Sequence, residues 1–228
     1  MPNPIEFVTV MSLPILYSFR RCPYAMRARL ALDSSATAVE LREILLRDKA
    51  PAFLAASQSA TVPCLVAGDG TVIDESLDIM LWALRRTDPE GWLRPDGGSL
   101  EDMLVLIGEL DGPFKTSLDR YKYASRYPQG DPIGERGSAA RFLEKLDGML
   151  SGRGWLFGET PALADMACLP FVRQFAATDR AWFDAAGWNR LRTWLAAFET
   201  SDRFRRIMTR YPVWKDGEPP KVFAARSG

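Results

Sequence analysis

The sequence contains no histidine. That absence removes every mechanism built on an imidazole base and every metal centre with a histidine ligand. Cysteine is scarce: Cys22, Cys64 and Cys168 are the only three, and no Cys-x-x-Cys pair occurs. A structural zinc is therefore not expected, and no metal is assigned. Three widely spaced thiols fit a reducing compartment better than a disulfide scaffold. Neither sign of charge is in excess, with 29 Lys plus Arg against 29 Asp plus Glu. No nucleic-acid or membrane-surface partner is implied, although Arg20, Arg21, Arg27 and Arg29 form a local basic group. The opening stretch MPNPIEFVTVMSLPILYS lacks a basic start and carries three prolines, so no secretory leader is expected. No apolar run reaches the length of a bilayer span. A soluble, cytoplasmic protein is the expectation.

What is present is an ordinary globular mixture. The chain has 228 residues, 47% hydrophobic and 25% charged, enough for one large domain or two modest ones. Residues 1–12 read as a loose arm. Residues 13–18 read as a buried strand and 23–32 as a helix, with Met26, Ala28, Leu30, Ala31 and Leu32 on its apolar face and arginines on the other. Pro23 falls in the first helical turn, where proline is tolerated. Residues 39–44 alternate like a strand, and 51–57 suit a short helix. Strands at 61–66 and 71–73 flank Asp69-Gly70, a hairpin turn signal. A helix opens at Ser76. This order implies a mixed sheet flanked by helices.

Residues 87–98, TDPEGWLRPDGG, are rich in Pro, Gly and Asp and read as a linker between residues 1–86 and residues 99–228. Beyond it the strand signal disappears. Ser99 and Asp102 resemble a capping box. Gly112-Pro113 is expected to kink or break the helix that follows. Helical spacing recurs from Ala139 to Leu150, from Leu163 to Phe175 and from Leu191 to Phe198, giving an α/β first half and an all-helical bundle second.

Arg21-Cys22-Pro23-Tyr24-Ala25 stands at a strand-to-helix junction. A cysteine there faces unpaired backbone N–H groups and the positive end of the helix dipole. Both favour the thiolate, as would Arg20, Arg21 and Arg27, and the thiolate is the nucleophile. The competing reading is a small buried cysteine. Position 25 is alanine, so no disulfide can form within the motif, and a redox cycle at Cys22 needs an external small thiol. Thr61-Val62-Pro63-Cys64 is a candidate cis peptide before a strand, with a strand-edge proline as the alternative. Asp74-Glu75-Ser76 begins a helix. A serine hydroxyl and helix N–H groups suit a carboxylate, and Glu75 suits an ammonium group. An ordinary cap is the alternative.

Taken in order, Cys-Pro-Tyr-Ala, Val-Pro and Glu-Ser resemble the thioredoxin-like N-terminal domain of glutathione transferases. The closest likeness is to the cysteine-type omega class and its bacterial relatives. The linker and helical half fit as well, so the resemblance covers nearly the whole chain. It implies that Cys22 forms a mixed disulfide with glutathione and that the Val62 backbone, before cis-Pro63, pairs with the cysteinyl part. Glu75 and Ser76 would hold the γ-glutamyl head. Lys49, in Lys49-Ala50-Pro51, matches a lysine that reaches the glycyl carboxylate, with a plain surface lysine as the alternative. The pattern departs at Ala162, where the family usually has a Ser or Thr cap. Asp165 is in place, and Thr160 with Pro161 could cap instead. Tyr24, Phe114, Tyr121 and Tyr123 are candidates for the electrophile pocket, though tyrosines at this spacing also serve packing. Cys64 reads as a second thiol or a buried strand residue, Cys168 as core, and Trp182 and Trp188 as core or inter-helix packing. Tyr17 and Ser18 read as strand packing rather than hydroxyl support for a thiolate.

The expected activity is a glutathione-dependent thiol transfer or reduction, with a homodimer as the expected assembly. The rivals are a conjugating or reductively dehalogenating transferase and a non-catalytic glutathione-binding or regulatory protein on the same fold.

Overall fold

The computed structural model describes residues 12–224; the expected arm lies, but for residue 12, outside them. Strand β1 (Ile15–Ser18) leads through a short loop into α1 (Pro23–Ser34), which Pro23 opens as its first residue. Strand β2 (Val39–Glu43) runs parallel to β1, with Ile15 opposite Glu40 and Ser18 opposite Glu43. Its alternation is as expected: Val39, Leu41 and Glu43 are buried, while Glu40 and Arg42 are partly exposed. After α2 (Pro51–Ala56), β3 (Cys64–Val66) pairs antiparallel with β1, and β4 (Val72–Ile73) pairs with β3. Gly70 adopts φ +85° in the turn between them and donates to Ala67 O at 2.9 Å. That left-handed conformation favours glycine. Helix α3 (Ser76–Arg86) then packs on α1.

A fifth strand corrects the reading that strand structure ends at the linker. Strand β5 (Val222–Phe223), far along the chain, pairs antiparallel with β2 and completes the order β4-β3-β1-β2-β5. Phe223 is buried there. Two residues are too short to show alternation, which is why the pattern does not reveal them.

A second correction concerns α1. Its arginines do not form an outer face: Arg27 is wholly buried and Arg29 nearly so. Hydrogen bonds to nearby acceptors hold them there. Arg27 donates to Ala167 O at 2.8 Å and to Asp111 at 2.9 Å. Arg29 donates to Ser18 Oγ and, at 2.7 Å, to Arg20 O.

Residues 87–98 form neither helix nor strand but are anchored. Trp92 is fully buried, and the Asp88 carboxylate accepts from the N–H groups of Trp92 and Leu93. Asp96 accepts from the N–H groups of Glu159 and Thr160 and from the Thr160 hydroxyl. Gly158 makes room for it, since a Cβ there would lie 2.5 Å from that of Asp96.

Helix α4 (Leu100–Glu109) opens on the expected Ser99–Asp102 capping box. Gly112-Pro113 does not end the helix. Residues Leu110–Phe114 form one π-helical turn that runs straight into α5 (Lys115–Lys122). The wider turn carries the chain past a proline that cannot donate. Then come α6 (Pro132–Met149), α7 (Leu163–Ala176), α8 (Arg180–Ala185), α9 (Asn189–Thr200) and α10 (Asp202–Ile207). Ala162 is the N-cap of α7 and makes no side-chain bond. Thr160 does not replace it, being held by Asp96. The Asp165 carboxylate closes this end instead, accepting from the N–H groups of Ala162 and Leu156 and from Trp194 Nε1.

One apolar core runs through both halves, from Leu16 and Leu30 to Phe171 and Leu195. Trp188, which is buried, and Trp182, which is partly buried against the core, pack edge-to-face at 5.5 Å where α8 meets α9. A smaller cluster of Tyr17, Ile44, Phe53, Val62 and Cys64 fills the opposite side of the sheet. Among the described residues, no helix is long and apolar enough to cross a membrane.

Candidate functional site

A cavity of about 1040 Å³ opens between the two halves. The loop before α1 supplies Cys22, the N-cap residue of that helix. Backbone bonds fix the loop: Cys22 N–H donates to Phe19 O at 3.0 Å, and Cys22 O accepts from Met26 N–H at 2.9 Å. The thiol points at Val62, whose carbonyl accepts from Sγ at 3.6 Å.

The Val62–Pro63 bond is cis, as the sequence suggests. Both residues face the cavity and precede β3, outside its ladder. Among the described residues the Val62 N–H donates no backbone hydrogen bond. Lys49, Glu75 and Ser76 line the same cavity. The N-cap of α3 is Glu75, which makes no side-chain cap bond; Ser76 is the first helical residue and is buried. The ordinary capping role is therefore not what either side chain performs. Ser57 donates to Asp74 at 2.7 Å, steadying the approach to α3.

The electrostatics of Cys22 differ from expectation. Burial pushes the thiol up, against the Ala25 and Tyr24 N–H groups, Arg29 and Lys115, which pull it down. The net direction is upward, so the helix end does not by itself make a free thiolate. The cations acting most on the sulfur are Arg29 and Lys115, rather than Arg20, Arg21 and Arg27. Arg29 is itself lowered to about 10, chiefly by burial.

The other thiols stand apart. Cys64 is fully buried and pushed up to about 12, first by burial and then by Asp74. Cys168 is fully buried in α7, and burial pushes its thiol up too. Neither lines the cavity, so Cys22 is alone there among the described cysteines. Tyr17 OH accepts from Arg42 at 2.9 Å and Ser18 Oγ accepts from Arg29. Both hydroxyls are held by arginines, and neither residue lines the cavity.

The pocket candidates divide. Tyr24 and Tyr123 line the cavity. The Tyr24 phenol is pushed up to about 12, by burial first and then by the Asp111 charge. Phe114 and Tyr121 do not line it. Phe114 is 2% exposed, with its ring 5.0 Å from Phe142, and Tyr121 packs 5.6 Å from Phe175. Helical spacing explains the split: Phe114, Leu118 and Tyr121 share the core face, whereas Lys115, Asp119 and Lys122 share the cavity face. That charged i, i+4, i+7 stripe is legible in the sequence, but aromatic residues drew the expectation instead. Asp111, Arg126 and Gln174 also line the cavity without having been expected.

Comparison with known proteins agrees with this architecture. The family model for the glutathione S-transferase N-terminal domain matches residues 16–91, and that for the C-terminal domain matches residues 116–197. A glutathione transferase family member from Pseudomonas fluorescens, solved with two glutathione bound, superposes with a TM-score of 0.74 at 19% identity, over 90% of this chain and 95% of that one. Glutathione transferase Omega 3C from Trametes versicolor gives 0.72 at 18% identity, over 86% and 84%. A glutathione S-transferase from Rhodospirillum rubrum gives 0.67 at 22% identity, over 91% and 96%. No match is found among curated protein sequences.

Proposed function

Since the chain belongs to the glutathione transferase family, we propose that it is a glutathione-dependent thiol transferase working through Cys22. The observation that carries this reading is the solitary thiol at the N-cap of α1, beside the Val62 backbone on the cavity wall. A nucleophilic sulfur with no partner cysteine suits a cycle that takes up and gives back one small thiol.

In this reading residues 1–86 bind glutathione and the helices beyond the linker bind the second substrate. The residues present fit a tripeptide thiol. The free Val62 N–H and its carbonyl suit a backbone-like partner, Lys49 suits a carboxylate, and Glu75 with Ser76 suits an amino-acid head group. Cys22, as the thiolate, attacks the glutathionyl sulfur of a mixed disulfide R–S–S–G. The new S–S bond forms as the old one breaks, and R–S⁻ leaves and takes a proton. A second glutathione thiolate then attacks the glutathionyl sulfur held on Cys22. Oxidised glutathione departs and the Cys22 thiolate is restored. We extend the reading to a homodimer in the cytoplasm.

One observation favours a second reading. The raised thiol donates to Val62 O, so Cys22 could instead donate a hydrogen bond to a bound glutathione thiolate and support conjugation or dehalogenation.

The test is intact-protein mass after incubation with oxidised glutathione, for wild type and Cys22→Ala. The expected result is one glutathione adduct on wild type, removed by reduced glutathione and absent from the variant. Measurable glutathione affinity without any adduct would overturn thiol transfer and favour conjugation.

A further inference from the structure

Besides Lys49, four cations line the cavity: Lys115, Lys122 and Arg126 from the helical half, and Arg21 from the loop before α1. Two acids of the helical half line it too, and each is already answered. Asp111 is held by the buried Arg27 at 2.8 Å, and Asp119 is paired with Lys115. Among the described residues Arg21, Lys122 and Arg126 form no ion pair. The cavity also holds Lys49, Glu75 and Asp74, the first two assigned to glutathione and the last accepting from Ser57, so Arg21, Lys122 and Arg126 are the cations left without an ion pair on the rest of its wall.

These cations are also held in place. The Tyr123 ring has Lys122 Nζ 5.3 Å and the Arg126 guanidinium 4.5 Å from its centre, and Arg21 stands 5.4 Å from the centre of Phe19. Cations stacked on rings lose less freedom when they engage a ligand. Burial pushes the Lys122 ammonium down; Asp119 opposes this, and Lys115, Arg173 and Arg21 add to it. A bound negative group would relieve that repulsion. The wall also carries Gln174, whose Oε1 is buried without a hydrogen-bond partner. Turning the amide over would present its NH₂ to the same space.

We infer that the second substrate is a small organic anion, a thiol bearing a carboxylate and joined to glutathione as a mixed disulfide, with the carboxylate received by Lys122 and Arg126. Arg21 adds long-range attraction from the loop before α1. This rests on the thiol-transferase reading and deepens it, because Lys49, Glu75 and Ser76 are then engaged with glutathione and leave these cations for the other half. The exchange at sulfur is the one written above, with R carrying the carboxylate.

The experiment uses the full-length protein and three non-reactive thioethers of glutathione, S-(2-carboxyethyl), S-(2-hydroxyethyl) and S-(2-aminoethyl), with affinities measured by titration calorimetry. The carboxyethyl compound is expected to bind about tenfold more tightly than the hydroxyethyl one, and the aminoethyl compound most weakly. That ratio should shrink with added salt. It should fall to about one in Lys122→Gln/Arg126→Gln. Arg126→Glu, a change at an exposed position, should bring the aminoethyl compound level with or ahead of the carboxyethyl one. Equal affinities for all three compounds would overturn this inference and leave glutathione binding standing. Failure of all three to bind would overturn both. A ratio that survives the double substitution would overturn the assignment to Lys122 and Arg126.

Discussion

Replacing Asp165 should separate hydrogen bonding from charge in the helical domain. The carboxylate is wholly buried and accepts three bonds, from Leu156 N–H at 2.9 Å, Ala162 N–H at 3.0 Å and Trp194 Nε1 at 3.0 Å. Asp165→Ala leaves three buried donors unanswered. At about 1–3 kcal/mol each, even the low end gives a loss of about 3 kcal/mol. For a chain of this size that lowers Tm by about 6–12 °C. Asp165→Asn keeps the oxygen facing Leu156 and Trp194 but turns an NH₂ toward Ala162 N–H, so it should fall between wild type and alanine. Charge adds a pH signature. Burial pushes the Asp165 carboxyl up to about 6, against its three donors. A carboxyl raised in the folded state binds protons more tightly there than in the unfolded chain. Its stabilising contribution is complete below the unfolded value of about 3.9 and is lost as pH rises through 6. The two-unit shift is worth about 3 kcal/mol. Asparagine cannot ionise, so the advantage of wild type over Asp165→Asn should narrow between pH 4.5 and pH 7. The assay is thermal unfolding of the three proteins by circular dichroism across that range. An alanine variant within 1 kcal/mol of wild type, or an asparagine gap that widens with pH, would refute the reasoning.

Three other outcomes follow from the same geometry. Arg27→Ala removes a buried guanidinium from Asp111 and Ala167 O and should cost about 3–5 kcal/mol in urea unfolding, with Arg27→Met recovering part through packing. The rate of Cys22 alkylation by iodoacetamide should rise with pH around a midpoint above the ordinary thiol value of about 8.5, and Lys115→Gln should move it higher; a midpoint near neutrality would contradict the burial argument. Ala162→Ser supplies the cap oxygen that α7 lacks and should stabilise by about 1 kcal/mol, seen as a rise in Tm.

Much of this was legible in the sequence, for reasons that can be traced. Cys22 at a helix start, Val62 before Pro63 and the Glu75-Ser76 pair are local features set by neighbouring residues, and the structure brings all of them to one cavity. The Ser99–Asp102 box and the Asp69-Gly70 turn are local too. What escaped was non-local. Arg27 looks like a surface residue until Asp111 is beside it, and the two are 84 positions apart. The thiol's upward shift depends on burial, which no motif encodes. Phe114 and Tyr121 were misplaced because a π-helical turn sets the phase of α5, and that phase decides which residues meet the core. A charged stripe such as Lys115, Asp119 and Lys122 looks the same in sequence whether it faces solvent or a cavity.

The return of the chain to β2 sets an order of events during synthesis. The edge of β2 away from β1 is unpaired until Val213 and Trp214 reach Glu43 and Val222 and Phe223 reach Val39 and Glu40, and all of these are translated after every described helix of the second half. A nascent chain on the ribosome therefore carries an unprotected strand edge, open to pairing with other chains. The first domain to emerge is the last to be finished. Truncations made at the linker to isolate it would recreate that vulnerable nascent state permanently.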